Sequence, residues 1–199
     1  MTQNTILLYI SAAPDCDVER SVLGRAIADV PVDLGWRIVQ SNGPNDPVDA
    51  QAILNADLHM LLLAEDIRAP IGVEWKIARN AGRHPRLFIR ETQSRTPAAR
   101  SFVRYVGPNE TWTPYASPAE LRRKALIDVA DTLLDRAGPL ALKPARIVGL
   151  RQWREQLAEG QEPEAETADG STGASSVILS RDEIATSGGV LIEGEEGDG

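Results

Sequence analysis

Two nearly uninterrupted apolar runs constrain the fold of this chain more than any other feature. They are Ile6-Leu7-Leu8-Tyr9-Ile10 and Leu58-His59-Met60-Leu61-Leu62-Leu63-Ala64. Each is too short for a core helix and lacks the apolar-polar alternation of a half-exposed strand. Each therefore reads as a strand buried on both faces, the environment of a parallel sheet. A parallel sheet needs crossover helices, and the intervening sequence supplies them. Asp15 or Asp17 is placed to cap a helix running to about Ala28, with Val18, Val22, Leu23, Ala26 and Ile27 at helical spacing. After Gly35, the alternating Trp36-Arg37-Ile38-Val39-Gln40 is a second strand.

The alternation continues. Ser41 to Pro47, with its prolines, asparagines and glycine, is loop, and a short helix follows from Val48 to Asn55. Ile71 to Ala81 reads as a helix stopped by Gly82, Arg86 to Arg90 as a fourth strand, Pro97 to Val106 as a helix and Thr111 to Tyr115 as an edge strand. Ser117-Pro118-Ala119-Glu120 combines a cap, a first-turn proline and a capping-box glutamate, opening a helix to about Arg136. About five strand-helix alternations predict a parallel sheet of about five strands with helices on both faces. Functional groups in such sheets gather at the carboxyl ends of the strands. That rule selects Ser11 to Asp17, Ser41 to Asp46 and Glu65 to Glu74.

Charge divides the chain. Twelve of its 29 Asp and Glu lie in residues 155–199 beside one basic residue, Arg181, leaving 20 basic against 17 acidic residues in 1–154. The organisation expected is an α/β domain over 1–138, a linker and short helix carrying Trp153 over 139–158, and an acidic, mostly disordered tail over 159–199. Two short apolar patches, Ser175-Ser176-Val177-Ile178-Leu179-Ser180 and Gly189-Val190-Leu191-Ile192-Glu193, interrupt that tail and are candidates for adding a strand to a sheet edge or docking on a partner. The mild balance of the first 154 residues argues against direct nucleic-acid binding. No apolar run approaches the ~18 residues of a membrane span. Met1-Thr2-Gln3-Asn4-Thr5 has no basic region, so a secretory signal is not expected and the location expected is cytoplasmic. A single cysteine, Cys16, and two histidines, His59 and His84, give no metal-binding pattern, and no metal or cofactor is expected.

The chemistry-bearing candidates are few. There is no phosphate loop, no dinucleotide fingerprint and no nucleophile elbow. The informative stretch runs from Ala56-Asp57 through the second apolar run to Glu65-Asp66, then Pro70-Ile71-Gly72-Val73-Glu74-Trp75-Lys76-Ile77-Ala78. It delivers Glu65 and Asp66 to the sheet edge and Glu74 to the start of the following helix. A carboxylate there has the chemistry to stabilise an oxocarbenium-like sugar centre or to form a covalent sugar adduct. The bland alternative is a glutamate favoured by the helix macrodipole. Gly72 would let a ligand approach the backbone, and Trp75 is the better stacking candidate of the tryptophans near the sheet. Arg83, Arg86, Arg90, Arg95, Arg100 and Arg104 form a basic stretch suited to phosphate, to the acidic tail or simply to solvent.

The strand–Asp–loop–Gly-x-Glu-Trp-x-x-Ala pattern resembles the nucleoside 2-deoxyribosyltransferase and TIR-like group. Tyr9-Ile10-Ser11-Ala12-Ala13-Pro14 is similar to that group's first-strand motif. The layout is closest to a TIR-like domain of unknown function fused to NACHT-type ATPases in bacterial conflict proteins. Its first strand is followed by Asp-x-x-x-Glu-Arg, as in Asp15-Cys16-Asp17-Val18-Glu19-Arg20, and Ala56-Asp57 matches its lead into the third strand. The likeness covers residues 5 to 136. The lead-in Pro70-Ile71-Gly72-Val73 departs from the Trp-Cys or Thr-x-x-Glu usual in TIR helices. The resemblance implies a flavodoxin-like sheet. It implies Glu74 as the catalytic carboxylate acting on an N-glycosidic bond of NAD or a nucleoside, with Tyr9, Ser11, Asp66, Gly72 and Trp75 forming the substrate pocket. It also implies an alternative: a non-catalytic protein-protein interaction module of a defence assembly, self-associating or docking a partner through its tail.

Overall fold

The structure, a computed structural model, describes residues 5–41, 43, 46–161 and 177–179. Strand β1 (Thr5–Ala12) is followed by a 3-10 turn over Pro14–Cys16 and helix α1 (Asp17–Ala26). Then come β2 (Gly35–Gln40), α2 (Ala50–Asn55), β3 (Leu58–Leu63), α3 (Ala69–Asn80), β4 (Arg86–Arg90), α4 (Pro97–Val106) and β5 (Trp112–Tyr115). Two further helices, α5 (Pro118–Asp135) and α6 (Pro144–Ala158), precede a short strand β6 (Val177–Leu179). All strand pairs are parallel, in the order β5-β4-β3-β1-β2-β6. Within it, β1 to β5 run 2-1-3-4-5, the flavodoxin-like order, with the direction of winding reversing between β1 and β3.

The two apolar runs are the two central strands. Every residue of β3 is buried, because helices cover both its faces. Pleating divides the side chains. Ile6, Leu8, Ile10 and Ala12 of β1 join Met60, Leu62, Phe88 and Trp36 in the larger core, against α1 and α5. Tyr9 turns to the other face, among Val39, Ile53 and Ala78 beneath α2 and α3, while Leu61, Leu63 and Leu87 pack with Trp75 and Ala99 beneath α3 and α4. Trp36 of β2 is only 1% exposed and belongs to the core.

The Ser117 cap predicted for α5 is present, its Oγ accepting the Glu120 N–H at 3.2 Å, while Glu120 Oε2 accepts the N–H of Ala116, one residue ahead of the capping-box donor, at 2.8 Å. The start of α1 is different. Neither Asp15 nor Asp17 caps it; Cys16 stands at the cap position without a side-chain bond. The 3-10 turn carries Asp15 across the sheet, where its Oδ2 accepts the N–H groups of Glu65 and Asp66 at 2.8 and 3.1 Å. That carboxylate ties the β1 and β3 loops together where the winding reverses. The short helix expected within 139–158 is α6, a 15-residue helix whose Leu150, Trp153 and Leu157 pack into the larger core instead of standing off as a linker. Arg154 fixes it to α5 through a bidentate contact with Asp131 at 3.0 and 3.3 Å.

Val177–Leu179 pairs with Trp36–Ile38 and adds the sixth strand. Of the alternatives open for this segment, the sheet-edge placement is the one observed; apart from Glu159–Gln161 at the end of α6, the rest of the expected tail, including Val190-Leu191-Ile192, lies outside the described residues. Among the described residues no helix is long and apolar enough to cross a membrane.

Candidate functional site

Helix α3 opens at Ala69, so Glu74 stands in its second turn rather than its first. The macrodipole fades within the first turn and is a weak reason for a glutamate here. Nor does Glu74 face water: it is 0% exposed and lies over β1. A buried carboxylate is costly unless hydrogen-bonded, and each oxygen has a donor. Tyr9 Oη donates to Oε1 at 2.8 Å. Ser41 Oγ donates to Oε2 at 2.7 Å. Arg68 instead bridges toward Asp66 at 3.7 Å, and no ion pair to Glu74 is present among the described residues.

The two hydroxyls are not equivalent. Tyr9 is itself 0% exposed. Burial, and then the charge of Glu74, push its ionisation well above the usual phenol value, so it stays protonated and donates. Ser41 is half-buried and ends β2 at the carboxyl edge of the sheet. Its Oγ accepts the Ala12 N–H at 3.2 Å and lies 3.4 Å from the Ile10 carbonyl. One hydroxyl proton cannot serve both acceptors, and the 2.7 Å contact to Glu74 is the stronger. Tyr9 is thus a fixed anchor on Oε1, while Ser41 is a replaceable partner on Oε2.

Beneath this pair lies a second polar contact. Ser11 Oγ and His59 Nε2 are 2.8 Å apart, and the His59 ring meets Tyr9 edge-on with centroids 5.2 Å apart. Burial, and next the charge of Arg83, lower the His59 pKa to about 4, so the ring is neutral at pH 7. Its Nδ1 is buried without a hydrogen-bond partner.

The structure therefore brings together Glu74, Tyr9 and Ser11 of the expected set, and adds Ser41 and His59. The remaining candidates engage other neighbours. Asp66 Oδ1 accepts from Thr96 Oγ1 and from the Ile67 N–H, both at 2.8 Å, fastening the β3–α3 loop to α4. Gly72 faces α4, where an added Cβ would meet Phe102 at an ordinary 4.0 Å, so nothing there demands a glycine. Trp75 is 7% exposed and makes edge contacts with Phe102 and Tyr105 at centroid distances of 5.9 and 5.7 Å. It is packing between α3 and α4.

Ser41 had a partial signal, since the Ser41 to Asp46 loop lies at a predicted strand end. His59 had none beyond being the one polar residue in an apolar run. The basic stretch is mostly spent on structure: Arg83 bonds the Ala56 carbonyl at 2.5 Å, Arg90 pairs with buried Glu19 at 3.1 Å, and Arg95 bonds the Ala64 carbonyl at 3.2 Å. An open cleft of about 520 Å³ lies at the carboxyl ends of β4 and β5, between Ile89, Glu91, Arg95 and Pro114; it takes in Arg95 of the basic stretch but none of Tyr9, Ser11, Asp66, Gly72, Glu74 or Trp75. Among the described residues no group of three His, Cys, Asp or Glu is placed to hold a metal ion. In comparisons with known proteins, no family model, curated protein or solved structure matches the chain.

Proposed function

We propose that this domain cleaves or exchanges an N-glycosidic bond of a nucleotide-class molecule, NAD or a nucleoside, with Glu74 as the group that meets the ribosyl carbon. One observation carries the reading: a fully buried carboxylate held by two hydroxyls rather than by a cation. A structural buried glutamate is usually paired, as Glu19 is with Arg90. Among the described residues no cation stands beside the Glu74 carboxylate, which leaves it free to stabilise an oxocarbenium-like centre forming beside it. Tyr9 would hold Oε1 throughout. Ser41 would turn its proton to the Ile10 carbonyl and release Oε2, either to a ribosyl hydroxyl or to the anomeric carbon. The base leaves with the electron pair of the broken bond, and water or a second base completes the exchange.

The test is incubation of the purified protein with NAD and a nucleoside panel, following base release by chromatography across a range of protein concentrations. Release by the wild type and none by Glu74→Ala supports the reading; equal release by both overturns the role of Glu74. A second reading is a non-catalytic interaction module using its tail as a docking peptide; Val177–Leu179 does form a strand at a sheet edge, that of its own chain.

A further inference from the structure

The cleft at the carboxyl ends of β4 and β5 contains none of the Glu74 cluster and has a chemistry of its own. Its volume, about 520 Å³, lies within the range of small-ligand sites, and the carboxyl edge of a parallel sheet is where such folds bind ligands. Ile89 and Pro114 are register partners on neighbouring strands, so they lie side by side on one face and give the cleft an apolar floor. Pro114 lacks the N–H that a further strand would need, which makes this a place for a small molecule rather than a peptide strand. The wall is the turn between β4 and α4. Thr92 Oγ1 closes that turn by accepting the Ser94 N–H at 3.2 Å, and the Thr96 N–H ties it to the Glu65 carbonyl at 2.8 Å.

Two charges of opposite sign, Glu91 and Arg95, line this cleft, and neither is neutralised by a partner among the described residues. Arg95 is held by the main chain instead. Its Nε donates to the Ala64 carbonyl at 3.2 Å and its Nη2 to the Arg90 carbonyl, while Nη1 has no partner among the described residues. Carbonyl bonds fix a guanidinium without cancelling its charge, so it stays available to a carboxylate. Glu91 is fixed through its backbone, whose N–H donates to the Tyr115 carbonyl at 2.8 Å; its side chain is exposed. A site for an anion alone would be weakened by Glu91, and a site for a cation alone by Arg95. A small zwitterion satisfies both. We propose that the β4–β5 cleft binds a free α-amino acid with an aliphatic side chain, its ammonium on Glu91, its carboxylate on Arg95 and its side chain over Ile89 and Pro114. Charges in an open cleft bind weakly, and the expected Kd is about 1 mM. The inference rests on this cleft alone and does not depend on Glu74.

The experiment is an NMR titration of the isotopically labelled full chain at pH 7 with L-leucine, followed through the backbone amides. Three further probes are titrated separately: N-acetyl-L-leucine, which lacks the ammonium, L-leucinamide, which lacks the carboxylate, and inorganic phosphate. The expected result is a saturable shift confined to residues 89–96 and 112–115 with leucine, and binding about fivefold weaker or worse with each of the other three. Glu91→Gln removes an exposed carboxylate that bonds nothing among the described residues, so the amide spectrum should stay that of the folded wild type. This variant should bind leucine about fivefold more weakly and bind N-acetyl-L-leucine at least as well as the wild type does. No localised shift with leucine would overturn the proposal. So would N-acetyl-L-leucine, leucinamide or phosphate binding as tightly as leucine, or undiminished leucine binding by Glu91→Gln.

Discussion

Acid should destabilise this domain through His59. The ring is 6% exposed, neutral, bonded to Ser11 and packed edge-on against Tyr9, with Arg83 as the charged group that adds to the cost of protonating it. Its pKa falls from 6.5 to about 4 on folding. A base with a depressed folded pKa contributes stability that is complete above the unfolded pKa and is lost as pH falls toward the folded one. The linkage gives a loss of about 2 kcal/mol by pH 5 and about 3 kcal/mol by pH 4, relative to pH 8. With a urea m-value of about 2 kcal/mol/M, the midpoint should fall by about 1 M between pH 8 and pH 5 from this group alone. Other groups titrate in the same window, so the informative quantity is the difference from a variant. His59→Gln places an amide nitrogen near Nε2 and removes the titration. The variant should be less stable at pH 8 through lost packing, yet its midpoint should fall by about 1 M less than the wild type's down to pH 5. Equal acid slopes in the two proteins would refute the assignment.

Two further perturbations separate the polar contacts. Tyr9→Phe leaves Glu74 Oε1 buried without its donor and should cost about 1–3 kcal/mol in urea unfolding, whereas Ser41→Ala should cost less because Ser41 is itself half-buried, so water can take the place of the lost hydroxyl. Arg90→Ala strands Glu19, 2% exposed with only the Tyr115 hydroxyl at 3.5 Å remaining, and should cost about 3 kcal/mol; adding Glu19→Leu should recover most of it.

Much of the architecture was legible because backbone pairing and burial leave periodic marks. The central strands were visible as runs without alternation, and β4, α4 and the capped start of α5 were read directly from local chemistry. The beginning of α1 was not, because Asp15 was judged by its neighbours in sequence, while its hydrogen bonds lie about 50 residues away on the β3–α3 loop. The same limit governs the site. Glu74 and Tyr9 were found through a motif, but Ser41 and His59 are defined by contacts across strands. Trp75 looked like a stacking platform because a helix position does not reveal which neighbouring helix covers it. Gly72 looked like a ligand approach for the same reason.

The most direct test of the central claim is base release by Glu74→Gln beside the wild type, with NAD and nucleosides, at protein concentrations high enough to allow assembly. Glutamine suits this position: its oxygen accepts from Tyr9, its amide donates to Ser41 Oγ, and the Ser41 proton turns to the Ile10 carbonyl 3.4 Å away. The fold should therefore survive, which circular dichroism checks. The account predicts release by the wild type and its loss, by a hundredfold or more, in the variant. Undiminished release by folded Glu74→Gln, or none by the wild type at any concentration, would contradict it.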